Sequence, residues 1–197
     1  MPKTSDHNDI ELVFEPLTPN RWSDFESLFG PTWACGGCWC MWWRLMKKEF
    51  EAQKGEANRR AMQALVAAGT VPGILAYHNG NTVGWCSVSP RKDFPRLEKS
   101  RILKPVDDEP AWSIVCLFVN KTYRRKQVST RLLNAAVQYV RDQRGCIVEG
   151  YAVEPRQDRT PDIFAYQGLA SAYRKAGFVE VARRSATRPI MRHYIAI

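Results

Sequence analysis

Residues 111–153 constrain the fold more than any other part of this chain. Ala111 to Val119 is an apolar, β-rich run with little polar interruption, the pattern of a strand covered on both faces. Residues 128–143 place Val128, Leu132, Leu133, Ala136, Val137 and Val140 at helical spacing, with Gly145 as the stop. Cys146 to Val153 is a second strand-like run. A strand, a helix and a strand in that order require a parallel pair in one sheet, with the helix crossing over one face.

The flanking segments supply further sheet partners. Ile10 to Phe14 alternates apolar and polar residues and reads as a strand ended by the turn Leu17-Thr18-Pro19-Asn20. Arg21 to Phe29 reads as a short helix stopped by Gly30-Pro31, and residues 54–68 as a second helix stopped by Gly69. Gly73 to Tyr77 and Thr82 to Val88 form a hairpin around Asn79-Gly80, residue types suited to the positive φ of a tight turn. Residues 90–110, with four prolines and many charges, read as an irregular surface loop. Residues 163–176 read as a helix ended by Gly177, and Phe178 to Val181 with Ile190 to Tyr194 as a closing antiparallel pair. The order β-α-α-β-β-β-α-β-α-β-β specifies an α/β (α+β) fold. Residues 10–197 form a single domain with a mixed, mostly antiparallel central sheet that holds one parallel strand pair and is flanked by helices. Residues 1–9 are a polar tail.

With 197 residues and 45% apolar side chains, a core can form without disulfides or structural metals. The net charge of +9 is unevenly placed: residues 99–197 carry 18 basic against 9 acidic side chains, while residues 1–98 carry 11 of each. That asymmetry suits a polyanionic partner, either nucleic acid or a phosphorylated cofactor; a solvated basic surface is the plainer alternative. No apolar run approaches the ~18–20 residues of a membrane span, and the N-terminus lacks the greasy stretch of a secretory signal. A cytoplasmic protein with six reduced cysteines is expected.

The chemistry concentrates in Leu117 to Leu133. A buried strand runs into the basic loop Arg124-Arg125-Lys126, and that loop opens an amphipathic helix. Backbone N–H groups at a helix start lack internal partners and carry partial positive charge, so the junction is an anion site, suited to phosphate or pyrophosphate.

This segment resembles the acyl-CoA loop of the GNAT superfamily of N-acetyltransferases, which usually reads R-x-x-G-x-G or R-x-x-G-x-A before a Leu-Leu pair. Here Arg124-Arg125-Lys126-Gln127-Val128-Ser129 occupies the loop and Leu132-Leu133 follow. Gly84-Trp85 with Pro90-Arg91, Val148-Glu149-Gly150-Tyr151, Tyr173-Arg174-Lys175-Ala176-Gly177-Phe178 and Arg188-Pro189-Ile190-Met191-Arg192 extend the likeness over roughly residues 10–195. Both loop glycines are replaced, by Gln127 and Ser129. Gln127 can still offer its amide if the loop keeps helical dihedrals, and Ser129 adds a hydroxyl.

The resemblance implies acetyl-CoA as co-substrate. Leu117, Phe118 and Val119 would present backbone groups to the pantetheine arm. Arg124, Arg125, Lys126, Gln127, Val128, Ser129 and Thr130 would hold the pyrophosphate. The parallel strands would splay apart to admit the thioester. It further implies Tyr173 as the general acid for the leaving thiolate, a core tyrosine being the plainer alternative, and a water chain in place of a protein base; Glu149, a carboxylate in an apolar strand, is a candidate base by burial or else a structural hydrogen-bonding residue.

Trp33, Trp39, Trp42 and Trp43, in a glycine-containing segment, are candidates for an aromatic wall that packs the acceptor or holds a cationic amine over a ring face; core packing is the alternative. Cys35-x-x-Cys38-x-Cys40 lacks the fourth ligand of a zinc site, so no metal is expected, and the three histidines form no cluster. The leading expectation is acetyl transfer from acetyl-CoA to an unidentified amine by direct attack in a ternary complex, with a homodimer among the allowed assemblies. A CoA-binding module without turnover is the first alternative, and a basic nucleic-acid-binding protein a weaker one.

Overall fold

The computed structural model describes residues 10–30, 34–155 and 166–196. Seven strands form one sheet: β1 Val13–Pro16, β2 Gly73–His78, β3 Asn81–Pro90, β4 Trp112–Val119, β5 Ile147–Tyr151, β6 Val179–Arg183 and β7 Pro189–Tyr194, in the spatial order β1-β2-β3-β4-β5-β7-β6. Every neighbouring pair is antiparallel except β4 and β5. The helices are α1 Trp22–Phe29, α2 Ala34–Gly37, α3 Lys47–Gln53, α4 Glu56–Ala67, α5 Pro95–Glu98, α6 Val128–Asp142 and α7 Ala170–Lys175. None of the described helices is long and apolar enough to cross a membrane.

The single-domain mixed sheet with one parallel pair is the architecture expected. Asn79 and Gly80 both have positive φ, as the β2–β3 turn requires. The differences have local causes. The first strand pairs from Val13 rather than Ile10. The helix expected over 54–68 is divided from a preceding helix by Gly55, whose φ of 90° no continuous helix accommodates. The last helix is short, starting at Ala170; the rest of the 163–176 expectation is loop from Tyr166 to Leu169 or lies outside the described residues, as do the tail 1–9 and Trp33.

Two apolar layers cover the sheet. On one face α6 buries Val128, Leu132, Leu133, Ala136, Val137 and Val140 against Ile74, Ala76, Cys86, Val88, Ile114 and Leu117. On the other, Phe25, Phe29, Trp39, Met41, Phe50, Met62 and Val66 pack on Leu75, Trp85 and Cys116. The loop 90–110 is not merely surface: Phe94, Leu97 and Leu103 cover Val115, Tyr151 and Ile190.

One irregularity positions everything that follows. In the β3–β4 ladder Ser87 pairs with Cys116 but Val88 pairs with Ile114, so Val115 is an extra residue in β4. Such a bulge bends its strand. The β4–β5 pairing stops at that point, covering only Trp112↔Val148 to Ile114↔Gly150, and the remainder of β4 diverges from β5.

Candidate active site

The diverging half of β4 forms one wall of a cleft of about 880 Å³. Leu117, Phe118 and Val119 lie along it, Arg124, Arg125, Gln127, Val128, Ser129 and Thr130 close one end, and Tyr166, Gly168, Leu169 and Ala172 form the facing side. The structure thus brings together all the residues expected at a cofactor site except Lys126, whose Nζ lies 5.3 Å from the Tyr123 ring centroid.

The loop end is a helix start with no side-chain cap. Gln127 has φ 57° and ψ 12°, the left-handed conformation, and Arg125 has φ 62°. The condition set for Gln127, right-handed helical dihedrals, is therefore not met: the backbone keeps the shape a glycine would take, with a glutamine bearing the strain. Ser129 lies inside the first turn of α6 and needs no special φ. The N–H groups of Val128, Ser129 and Thr130 have no acceptors within the helix, and Arg124 and Arg125 are exposed beside them. This end is built to receive an anion.

Along β4 the backbone groups of alternate residues face opposite neighbours. The Leu117 N–H donates across the gap to the Tyr166 carbonyl at 2.6 Å, while the Asn120 N–H donates to Val83 in β3. Leu117 and Val119 thus face the cleft with their backbone, and Phe118 faces β3. The expectation that Phe118 offers backbone groups to the pantetheine is corrected; Phe118 is in the cleft lining, and its ring stacks on Phe29 at 5.7 Å.

Tyr173 packs over β5 in the core on the α6 side and is absent from the cleft lining. Its ring passes so close over Gly150 of β5 that a Cβ there would meet ring carbons at 2.2 and 2.6 Å. It is fully buried, and its hydroxyl donates to the Gln167 carbonyl at 3.0 Å. Burial pushes that hydroxyl well above the ordinary tyrosine range, so it stays protonated.

Glu149 is not placed as a base. Oε1 accepts from Arg91 Nη1 at 2.8 Å and from the Tyr151 hydroxyl at 2.7 Å, and Oε2 accepts from Arg192 Nε at 2.9 Å. Ser113 bonds Tyr151, and Arg192 continues to Asp107 at 2.6 and 2.9 Å. Both oxygens are committed within a buried ionic network, and Glu149 is absent from the cleft lining.

The aromatic segment also departs from expectation. Trp39 is 2% exposed and stacks on Phe29 at 5.6 Å, so it is core. Trp42 already has a cation on its face, the Arg96 guanidinium at 3.4 Å from the ring centroid. Trp43 packs beside the Phe94 and Leu97 cluster. Cys40 accepts from Trp85 Nε1 at 3.0 Å, and no three His, Cys, Asp or Glu side chains gather as a metal site among the described residues.

Sequence reasoning missed Tyr166 and Gln167. Tyr166 lines the cleft, and its hydroxyl is pushed up to about 12 by burial, with Arg188 and Arg96 opposing the rise. Only their place beside β4 marks them, and nothing in the local sequence signals it.

A family model described as the acetyltransferase (GNAT) family matches residues 39–169. The chain belongs to that family, whose co-substrate is acetyl-CoA. Among solved structures it is similar to the PaiA N-acetyltransferase of Thermoplasma acidophilum in complex with coenzyme A, at 13% identity and TM-score 0.53, covering 94% of this chain and 100% of that one. It is also similar to a GNAT-family acetyltransferase of Streptococcus pneumoniae, at 13% identity and TM-score 0.56, covering 94% and 100%. A third is the Drosophila melanogaster polyamine N-acetyltransferase, at 11% identity and TM-score 0.51 over the same shares. A search of curated protein sequences finds no match.

Proposed function

We propose that the protein is an acetyl-CoA-dependent N-acetyltransferase that joins acetyl-CoA and an amine in one ternary complex. The observation that carries this reading is the continuous cleft from the open start of α6 to the gap between β4 and β5. Pyrophosphate is received by the N–H groups of 128–130 with Arg124 and Arg125. The pantetheine arm runs along β4, where the Val119 N–H faces it. The amine nitrogen attacks the thioester carbonyl carbon; a C–N bond forms as the C–S bond breaks. The sulfur leaves as a thiolate and is protonated by an acid, and the amine gives up its proton to water. Positioning and backbone donors at the carbonyl supply most of the acceleration.

Tyr173 is the acid in this reading. Its hydroxyl stands over Gly150, outside the cleft lining and behind the Tyr166–Gln167 segment, whose carbonyls bond Leu117 and Tyr173. An arm that takes over the Leu117 N–H displaces Tyr166 and uncovers the hydroxyl.

The same contact favours a second reading, a CoA-binding module whose thioester end is plugged by Tyr166. Calorimetry with acetyl-CoA and a thiol-release assay over an amine panel separate the two. Binding with thiol release supports the transferase, binding with none supports the module, and no binding sinks both.

A further inference from the structure

The surface around Tyr166 is rich in hydrogen-bond donors and positive charge. Arg188 Nη1 donates to Gln167 Oε1 at 2.5 Å, one residue from the Tyr166 carbonyl that spans to β4. The Arg96 guanidinium, 3.4 Å from the Trp42 ring centroid, makes one long bond of 3.3 Å among the described residues, to the Trp42 carbonyl. Both guanidiniums lie within electrostatic reach of the Tyr166 hydroxyl. Neither has an ion pair with any described carboxylate; Glu51 is in electrostatic reach of Arg96 but does not pair with it. A buried donor at this surface also lacks an acceptor: Gln167 Nε2, in a residue 1% exposed. Buried donors are nearly always satisfied, so Gln167 Nε2, with two guanidiniums that lack an ion pair among the described residues, marks where an acceptor-rich group belongs.

The charge is opposite to what an aromatic wall for a cationic amine would need. Arg96 already fills the Trp42 ring face, and any polyamine approaching Tyr166 would meet two positive charges. Guanidiniums instead bind carboxylate or phosphate through paired N–H groups. We propose that the acceptor is a primary amine carrying an anionic group, carboxylate or phosphate, which Arg96 and Arg188 receive while the amino group faces the thioester. This rests on the transferase reading above.

The test compares thiol release from acetyl-CoA with matched acceptors: L-lysine against cadaverine, O-phosphoethanolamine against ethanolamine, and spermidine as a polycation. The anion-bearing member of at least one pair is expected to show a kcat/KM about tenfold or more above its partner, the worth of one charge-assisted contact. The pair that responds identifies carboxylate or phosphate. In Arg96→Met and Arg188→Met that ratio falls toward one, chiefly through KM, and Arg96→Lys restores part of it. Equal rates across the pairs, or a preference for cadaverine or spermidine, overturn the inference and leave the transferase standing. If acetyl-CoA binds but no acceptor releases thiol, L-glutamate and inorganic phosphate are titrated calorimetrically into the CoA-bound protein. Binding lost in the arginine variants supports the anion site, and no binding overturns it. No binding of acetyl-CoA sinks the transferase reading and this inference together.

Discussion

The two ends of the cleft are built on different principles. The end proposed for the pyrophosphate is made largely of backbone: one continuous stretch, 124–130, leads into α6, and its N–H donors depend little on which side chains they carry. The region proposed above for the acceptor is made of side chains from distant segments. Arg96 comes from α5, Trp42 from the loop before α3, Tyr166 and Gln167 from the approach to α7 and Arg188 from the approach to β7, and the Glu149 network of β5 is likewise assembled from distant segments. A site of backbone tolerates substitution and loses affinity gradually. A site of interlocked side chains is specific, and removing one member leaves the others buried and unsatisfied.

The largest effect should therefore fall on the side-chain end. Glu149→Ala removes the buried carboxylate that joins Arg91 and Arg192, two guanidiniums mostly buried at their side chains, and leaves them the exposed carboxylates of Glu98 and Asp107. Breaking a buried pair by removing one partner typically costs about 3–5 kcal/mol. Urea denaturation should show a loss of that order. A loss below about 1 kcal/mol combined with abolished turnover would break the contrast and return Glu149 to the chemistry as a base.

Tyr173→Phe sits between the two ends. Removing its hydroxyl frees the Gln167 carbonyl, at about 1 kcal/mol of stability, and removes the proposed acid, at ~10²-fold or more in turnover. Single-turnover kinetics with an active amine decide it, and wild-type turnover would make Tyr173 a packing residue. The backbone end should respond more mildly. Arg124→Ala with Arg125→Ala removes two exposed charges, each worth on the order of 1 kcal/mol to a phosphate, so acetyl-CoA affinity should fall and its salt dependence flatten. Unchanged affinity by calorimetry would move the pyrophosphate elsewhere.

The same contrast explains what was legible in the sequence. The β4–α6–β5 unit and the anion end were, because hydrophobic periodicity and a basic loop before a helix are local patterns. Glu149 looked like a lone carboxylate because its partners lie 58 and 43 residues away in sequence. Trp39 and Trp42 looked like free aromatic surface because sequence does not show that Phe29 and Arg96 already occupy them. The bulge at Val115 that opens the cleft leaves no mark in an uninterrupted apolar run.

The smallest effect tests the backbone end most finely. Gln127 and Ser129 replace two glycines of the family loop, yet the structure treats them differently. Gln127 is held at φ 57°, where an L side chain costs roughly 1–2 kcal/mol, whereas Ser129 is an ordinary helical residue in the first turn of α6. Glycine at 127 relieves that strain and gives back part of the gain through the greater freedom of the unfolded chain, for a net stabilisation of about 0.5–1 kcal/mol. At 129 there is no strain to relieve, so Ser129→Gly should destabilise by about 0.5–1 kcal/mol. Chemical denaturation of the two single variants should show opposite signs. Equal signs would mean that the loop is held by the side chains of Gln127 and Ser129, and the pyrophosphate end would then be built like the other.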